Sequence, residues 1–268
     1  MMRQWVESVR SRGTLTVYEH DSMRTNDFWS RLFAQGLSEF NRISDQSHLG
    51  IRLERSRDLP SESQDGADIM VSASNGNIPR GYPGSSQTIH FNGTGLHGRT
   101  FSLSRSPGGL FKCFVHVPSS PQVSIGVDRR RRVGRPIGLC ILVHEFIHCC
   151  GLSNDEHVPI GTRGGGIFCF PGEVITGSRA EEDGLRPWGT SDPLMPPLIL
   201  DSITADRIRT LWQQTPSSQE QQFESSTEEI RYKRGPMGVN MRPTSESEVG
   251  VADKGISSRS WRKPGPFV

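Results

Sequence analysis

The chain has 268 residues, enough for one large domain or two small ones, and its 31 basic and 29 acidic side chains give a formal charge of +2. Both signs are mixed along the chain and the pI is near 8.4, so no global field selects nucleic acid or an anionic membrane as partner. Five cysteines without C-x-x-C spacing argue against a disulfide scaffold and a cysteine-rich zinc module, and favour a reducing compartment.

No segment has the pattern of an export signal or a membrane span. The first thirty residues carry charges throughout and lack the apolar region of a secretory signal. The most apolar run, Ile137 to Val143, is too short to cross a bilayer. We therefore expect no membrane span and, by default, a cytoplasmic location.

The first predicted elements are a strand and an amphipathic helix. The segment TLTVYE, Thr14 to Glu19, alternates apolar and polar residues as a half-buried strand does. Asn26 suits the N-cap of a following helix. The apolar residues of that helix recur at spacings of four, four and three: Trp29, Phe33, Leu37 and Phe40.

Several short segments rich in β-branched and aromatic residues predict further strands. They are IRLER from Ile51, ADIMVSAS from Ala67, residues 99–103 and FKCFVHV from Phe111. The strand at 99–103 lies in a stretch, residues 75–110, that is otherwise rich in Gly, Ser and Pro. Strands interleaved with a helix predict an α/β (α+β) fold with a sheet of four or five strands.

A second helix is predicted from Ile137 to Cys150, with Pro136 in its first turn and Gly151 at its end. It is apolar nearly all round, which is typical of a helix in the centre of a protein.

The last predicted element is the helix in LDSITADRIRTLWQ. Asp201 or Ser202 is its cap, and its apolar face is formed by Ile203, Ile208, Leu211 and Trp212. From residue 216 the chain is dominated by polar residues, Pro and Gly, with too few apolar groups to offset the entropy of ordering. We therefore predict a domain over 1–215 and a disordered polar tail over 216–268.

The sequence HEFIHCCG places a metal-binding pattern on the central helix. His144 and His148 are four residues apart, so both imidazoles project from one face and can meet one Zn²⁺ ion. Glu145 is placed to act as general base on a water that zinc acidifies, which is the mechanics of the H-E-x-x-H motif. Two histidines leave the zinc one protein ligand short, and Gly151 allows the chain to turn sharply so that the next loop supplies it.

HExxHxxG followed by a further ligand resembles the metzincin clan of zinc peptidases. ADIMV at Ala67 is similar to the third sheet strand of the matrix-metallopeptidase-like branch, DPLMPP with Met195 is similar to its Met-turn, and LDSITADRIRTLW is similar to its C-terminal helix. The resemblance covers most of residues 14–213. It implies a twisted, mostly parallel sheet, an active-site helix, a Zn²⁺ cofactor and hydrolysis of peptide or protein substrates.

The sequence departs from the family at the third ligand. The family's ligand lies three residues after the Gly, where this chain has Asn154, a poor zinc ligand. His157 reaches the metal if the loop has an insertion, and we predict it as the third ligand. Asp155, or no third protein ligand, are the alternatives. A long segment, residues 158–194, separates His157 from Met195.

Other reactive residues have less specific patterns. Cys149 and Cys150 point away from the histidine face of the predicted helix, which indicates buried packing. Arg129 to Arg132 form the densest basic run, which we interpret as a solvated loop, since no aromatic platform for nucleic acid accompanies it. The rival hypotheses are a zinc hydrolase of another amide or ester, a non-catalytic interaction module on the same fold, and a nucleic-acid binder using this run.

Overall fold

The computed structural model of the chain describes residues 2–61, 63, 65–105, 109–126, 129–153, 168–170, 173–174 and 198–213. All of them belong to one compact unit, Met1–Ser217. Residues 214–268, where the polar tail is predicted, lie outside the described residues.

Five helices are described in this unit. They are α1 (Glu7–Arg12), α2 (Asp21–Arg24), α3 (Trp29–Gln46), α4 (Arg135–Cys149) and α5 (Ser202–Gln213). Within the described part of the chain, no helix is both long and apolar enough to cross a membrane.

The strands form one large sheet and three small ones. They are β1 (Thr14–Glu19), β2 (Arg52–Ser56), β3 (Ile69–Ser74), β4 (Gly76–Pro79), β5 (Thr88–Phe91), β6 (Arg99–Arg105), β7 (Gly109–Pro118), β8 (Gln122–Gly126), β9 (Arg129–Arg132), β10 (Phe168–Phe170), β11 (Glu173–Val174) and β12 (Ile199–Leu200). The smaller sheets are the pairs β4–β5 and β8–β9 and the antiparallel set β11–β10–β12.

The large sheet has five strands in the order β2–β1–β3–β7–β6. The pairs β1–β2, β1–β3 and β3–β7 are parallel, and only β6 runs antiparallel to its neighbour β7. The predicted mixed α/β architecture with a mostly parallel sheet of four or five strands is therefore confirmed. Because β6 is at the edge, it has one side available for contacts other than β7.

Helix α3 forms where its apolar periodicity places it. Asn26 lies just before it, and its side-chain oxygen accepts hydrogen bonds from the backbone N–H groups of Phe28 and Trp29 at 3.1 and 3.2 Å. These bonds satisfy donors that have no partner inside the helix. The buried face of α3 includes all four apolar residues that define its predicted period.

Helix α4 packs against α3 at close range. A Cβ atom on Gly36 of α3 would lie 2.5 Å from Leu142 Cδ2, so the glycine lets the two helices approach. Phe40 and Phe146 meet edge to face across the same interface, with ring centroids 6.3 Å apart. Most of α4 is buried, as its nearly continuous apolar sequence predicts.

Helix α5 begins at the predicted cap. Asp201 Oδ1 accepts hydrogen bonds from the backbone N–H groups of Ile203 and Thr204, both at 3.0 Å. The predicted apolar face is wrong at Ile203, which is 42% exposed, whereas Ile208 and Leu211 are buried. Its place is taken by Thr204 and Ala205, because the helix rotates its small residues toward the core.

Several other elements were not predicted, among them α2 and β8. Helix α1 and the hairpin β4–β5 were missed, the hairpin because the Gly, Ser and Pro content of residues 75–110 is typical of loops. The interpretation of residues 129–132 as a loop is also wrong, since they form strand β9, paired with β8. All four arginines of β9 are exposed, as expected.

Candidate metal centre

His144 and His148 lie one turn apart on α4 and face each other. Their Nε2 atoms are 3.1 Å apart and their ring centroids 4.9 Å apart. Zn–N bonds of roughly 2.0–2.1 Å in a tetrahedral arrangement place two ligand nitrogens about 3.3 Å from each other. The two imidazoles therefore fit one zinc ion with little adjustment.

The hydrogen bonding of His148 leaves the correct nitrogen available as a ligand. Its Nδ1 lies 3.2 Å from the backbone carbonyl oxygen of Leu152. Because a carbonyl oxygen only accepts, Nδ1 must donate, and in a neutral imidazole the Nε2 atom then carries the lone pair. A backbone carbonyl that orients a ligand histidine in this way is typical of metal sites in proteins.

The two histidines differ in their access to solvent. His148 is 3% exposed, whereas His144 is half-buried. The His148 imidazole is thus enclosed by the protein, whereas the His144 imidazole is partly open to solvent.

Glu145 is held at the junction of α4 and β6. It is 4% exposed, and the Thr100 hydroxyl donates a hydrogen bond to its Oε2 at 2.7 Å. Gly98, just before β6, lies so close that a Cβ atom there would be 2.5 Å from Glu145 Cγ. The carboxylate is therefore positioned by the edge strand as well as by its own helix. Neither contact has a local signal in the sequence, since 45 residues separate Thr100 from Glu145 and Gly98 is equally remote.

The end of α4 is fixed by residues from both ends of the domain. The indole N–H of Trp5 donates to the Cys149 carbonyl at 2.7 Å, and that of Trp212 donates to the Cys150 carbonyl at 3.0 Å. These bonds give a donor to carbonyl groups that have no N–H partner inside the helix. The segment that follows, with Leu152, is consequently held in place beside His148.

Gly151 makes the predicted turn out of the helix. Its φ is +109°, and a Cβ atom there would lie 2.3 Å from the Arg3 carbonyl oxygen. The Arg3 N–H also donates to the Gly151 carbonyl at 2.9 Å. Both the conformation and the close approach require glycine.

The cysteines beside the motif pack in the core, as predicted. Cys149 and Cys150 are both 0% exposed. Burial raises the pKa of both thiols, and the neighbouring Cys113 raises it further. A thiol that stays protonated is a poor zinc ligand, because the thiolate is the form that binds metal.

The remaining predicted site residues lie outside the described residues. These are His157, its alternative Asp155, and Met195 of the predicted Met-turn. Among the residues that are described, no group of three or more His, Cys, Asp or Glu side chains could hold a metal ion. The described residues thus bring together only the two histidines of the motif, and both the metal and its third ligand stay predictions.

A cleft of about 390 Å³ opens beside His148. Its lining includes His148 of α4, Ser153 after that helix, and Thr100 of β6. It also includes three arginines: Arg3, Arg80 and Arg99. No local sequence pattern marks these arginines, since they come from three separate segments. The basic run of β9 does not contribute to the lining.

Comparison with known proteins gives no family for this chain. No model of a known protein family matches it, and no curated protein is significantly similar to it. The HExxH motif and the geometry of its side chains are therefore the basis for assigning a function.

Proposed function

We propose that the chain is a zinc-dependent peptidase, with His144 and His148 as metal ligands and Glu145 as general base. The observation that carries the proposal is the 3.1 Å separation of the two Nε2 atoms, next to a buried glutamate on the same helix. The mostly parallel five-stranded sheet supports the proposal, since the resemblance to metzincins implies an α/β fold with a sheet of this kind.

The donor set fits zinc. The site offers two imidazoles, one of them with its Nδ1 bonded to a carbonyl. Imidazole nitrogens bind Zn²⁺ in preference to Mg²⁺ or Ca²⁺. When bound, zinc would polarise the substrate carbonyl and lower the pKa of a water toward roughly 7. His157 remains our proposed third ligand, with Asp155 as the alternative.

Glu145 performs the proton transfers. Its carboxylate takes the proton from the attacking water, and then delivers that proton to the leaving amine. The Thr100 hydroxyl donates to Oε2, which fixes the orientation of the carboxylate. A single carboxylate that works in both steps needs this fixed orientation.

The edge strand β6 supports a peptide as substrate. Its inner side pairs with β7, and among the described residues no strand pairs with its outer side. An extended peptide can add to such an edge through backbone hydrogen bonds, which would align it beside Glu145. A small ester would not use this strand.

The replacement Glu145→Gln tests the catalytic proposal. The purified full chain should contain about one zinc per chain and cleave a mixed peptide library. Glu145→Gln should keep the metal and lose cleavage, while Glu54→Gln, an exposed glutamate on β2, should change neither. Undiminished cleavage in Glu145→Gln would remove this residue from the mechanism, and zinc-free wild-type protein would reject the metal site.

Alanine replacements test the third ligand. His157→Ala should weaken zinc affinity about as strongly as His144→Ala, because each removes one imidazole from the metal. Asn154→Ala should leave the affinity unchanged, and Asp155→Ala should do the same. Competition with a chelator of known zinc affinity measures all four. Wild-type affinity in His157→Ala would refute our assignment.

A further inference from the structure

Three arginines converge on the cleft beside His148. Arg3 comes from the N-terminal segment, Arg80 follows β4, and Arg99 begins β6. We call this site the arginine cleft, defined by Arg3, Arg80 and Arg99. Like charges brought together from separate segments repel one another, so their shared field favours an anion between them.

The three arginines are not neutralised by carboxylates of the described chain. Arg3 donates to the Ser104 hydroxyl at 3.2 Å, and Arg99 stacks over the Phe101 ring at 5.9 Å. Other arginines of the same unit have carboxylate partners: Arg12, Arg24, Arg42, Arg52, Arg55 and Arg209. The cleft thus brings together three guanidinium groups that no described acidic group balances.

The location of the cleft connects it to the proposed reaction. Its lining includes His148, a proposed metal ligand, and Thr100, which holds Glu145. Arg99 is adjacent to Thr100 on β6, the strand whose outer side is open among the described residues. A peptide that lies along β6 would therefore carry one of its groups into the arginine cleft.

We propose that the arginine cleft binds a carboxylate of the substrate peptide, and so selects peptides with an acidic group near the bond that is cut. The inference depends on the proposed peptidase function, which it extends to a substrate class. Guanidinium groups bind carboxylates through paired hydrogen bonds. The carboxylate belongs either to an Asp or Glu side chain or to the end of the peptide chain, and both sources present the same chemistry.

Direct binding tests the proposal without requiring turnover. Three fluorescein-labelled peptides of one sequence are compared: a central Glu with an amidated end, a central Gln with an amidated end, and a central Gln with a free carboxylate end. Fluorescence anisotropy measures their affinity for the full chain carrying Glu145→Gln, which prevents cleavage. At least one peptide with the carboxylate should bind about tenfold more tightly than the neutral peptide, as expected for a charge-assisted contact.

Replacement of the arginines should remove this preference. With Arg80→Gln and Arg99→Gln together, the charged and neutral peptides should bind within about twofold of each other. Arg31→Gln, an exposed arginine on α3, removes one positive charge elsewhere and should preserve the full preference. Which charged peptide gains affinity identifies the source of the carboxylate.

The outcomes separate this inference from the peptidase proposal. Equal affinity for all three peptides, no binding of any of them, or an equal loss in Arg31→Gln would overturn the arginine cleft as a carboxylate site. Cleavage of the library without any acidic preference would leave the peptidase intact and reject the cleft. A carboxylate preference in a protein that never cleaves peptides would keep the arginine cleft as a carboxylate site and reject the peptidase.

Discussion

At the scale of single residues, contacts from outside the motif orient its side chains. His148 is oriented by the carbonyl of Leu152, four residues away, which comes close because the chain turns at the end of α4. Glu145 is oriented by Thr100, which reaches it from the edge strand. The spacing of the motif identifies the histidine pair and the base, but the hydroxyl that positions the base arises from the pairing of sheet and helix.

Thr100→Val should slow catalysis by removing the hydrogen bond to Glu145. Because a hydrogen bond to a charged group contributes roughly 1.5–3 kcal/mol, we expect kcat to fall at least about tenfold with little change in KM. Steady-state kinetics on a cleaved peptide measures both. Thr100→Ser retains the hydroxyl and should keep most of the activity, and equal zinc content in all three proteins excludes loss of metal. A rate for Thr100→Val equal to that of Thr100→Ser would contradict the positioning role.

At the scale of elements, α4 is held from its sides and at its end. Its flank packs against α3 through Gly36 and the Phe40–Phe146 contact. Its last carbonyls accept hydrogen bonds from Trp5 and Trp212. The helix and its glycine stop follow from local sequence, whereas its two indole partners come from opposite ends of the domain and have no local signal.

Trp212→Phe should destabilise the fold and also weaken metal binding. Loss of the indole N–H leaves the Cys150 carbonyl without that donor, which costs about 1–2 kcal/mol of unfolding free energy. The segment leading to Leu152, which orients His148, loses its support, so zinc affinity should fall severalfold. Urea denaturation and chelator competition measure the two effects.

Trp29→Phe is the matched control for this change. The Trp29 indole donates to the Pro118 carbonyl at 2.7 Å, so its loss removes the same type of bond at a place that does not contact the histidines. It should lower stability to a similar extent without altering zinc affinity. Equal effects of both replacements on zinc affinity would show that the cap on α4 has no specific influence on the site.

At the scale of the whole molecule, the face of the sheet under β4–β5 contains a buried histidine that matters for stability. His116 of β7 is 4% exposed, with its Nδ1 near the hydroxyls of Ser72 and Ser74 at 2.9 and 3.0 Å. Phe91 of the hairpin and Phe101 of β6 flank its ring. Burial, with a smaller effect of His20, lowers the pKa of His116 to about 4.

The fold should therefore lose stability in mild acid. The unfolded chain has the ordinary histidine pKa of 6.5 and takes up a proton first as the pH falls, so stability is complete above about 6.5 and declines toward pH 4. At about 1.4 kcal/mol per pH unit, this interval corresponds to a loss of about 3 kcal/mol. Urea denaturation between pH 7.5 and 4.5 should show a smaller decline for His116→Gln. An unchanged pH dependence in that variant would assign the acid sensitivity to other groups.

Local sequence determined helices α3, α4 and α5, the five strands of the large sheet and the spacing of the two histidines. The amphipathic period of α3, the Pro and Gly bounds of α4, the cap of α5 and the spacing of His144 and His148 are short-range patterns, because helix geometry fixes which residues share a face. A sheet of four or five strands also followed from the alternation of strands and helices, whereas its mostly parallel character was implied by the metzincin resemblance. The metzincin resemblance and the role of His157 stay predictions.

Tertiary structure alone decided which distant groups meet. The Thr100 contact to Glu145, the indole caps on α4, the hairpin over His116 and the arginine cleft each join segments far apart in the chain. Such contacts leave no periodic pattern in the sequence, since they depend on strand order and on the direction in which each element is packed. The motif thus indicates the proposed chemistry, and the fold determines how Glu145 is oriented and which charges line the neighbouring cleft.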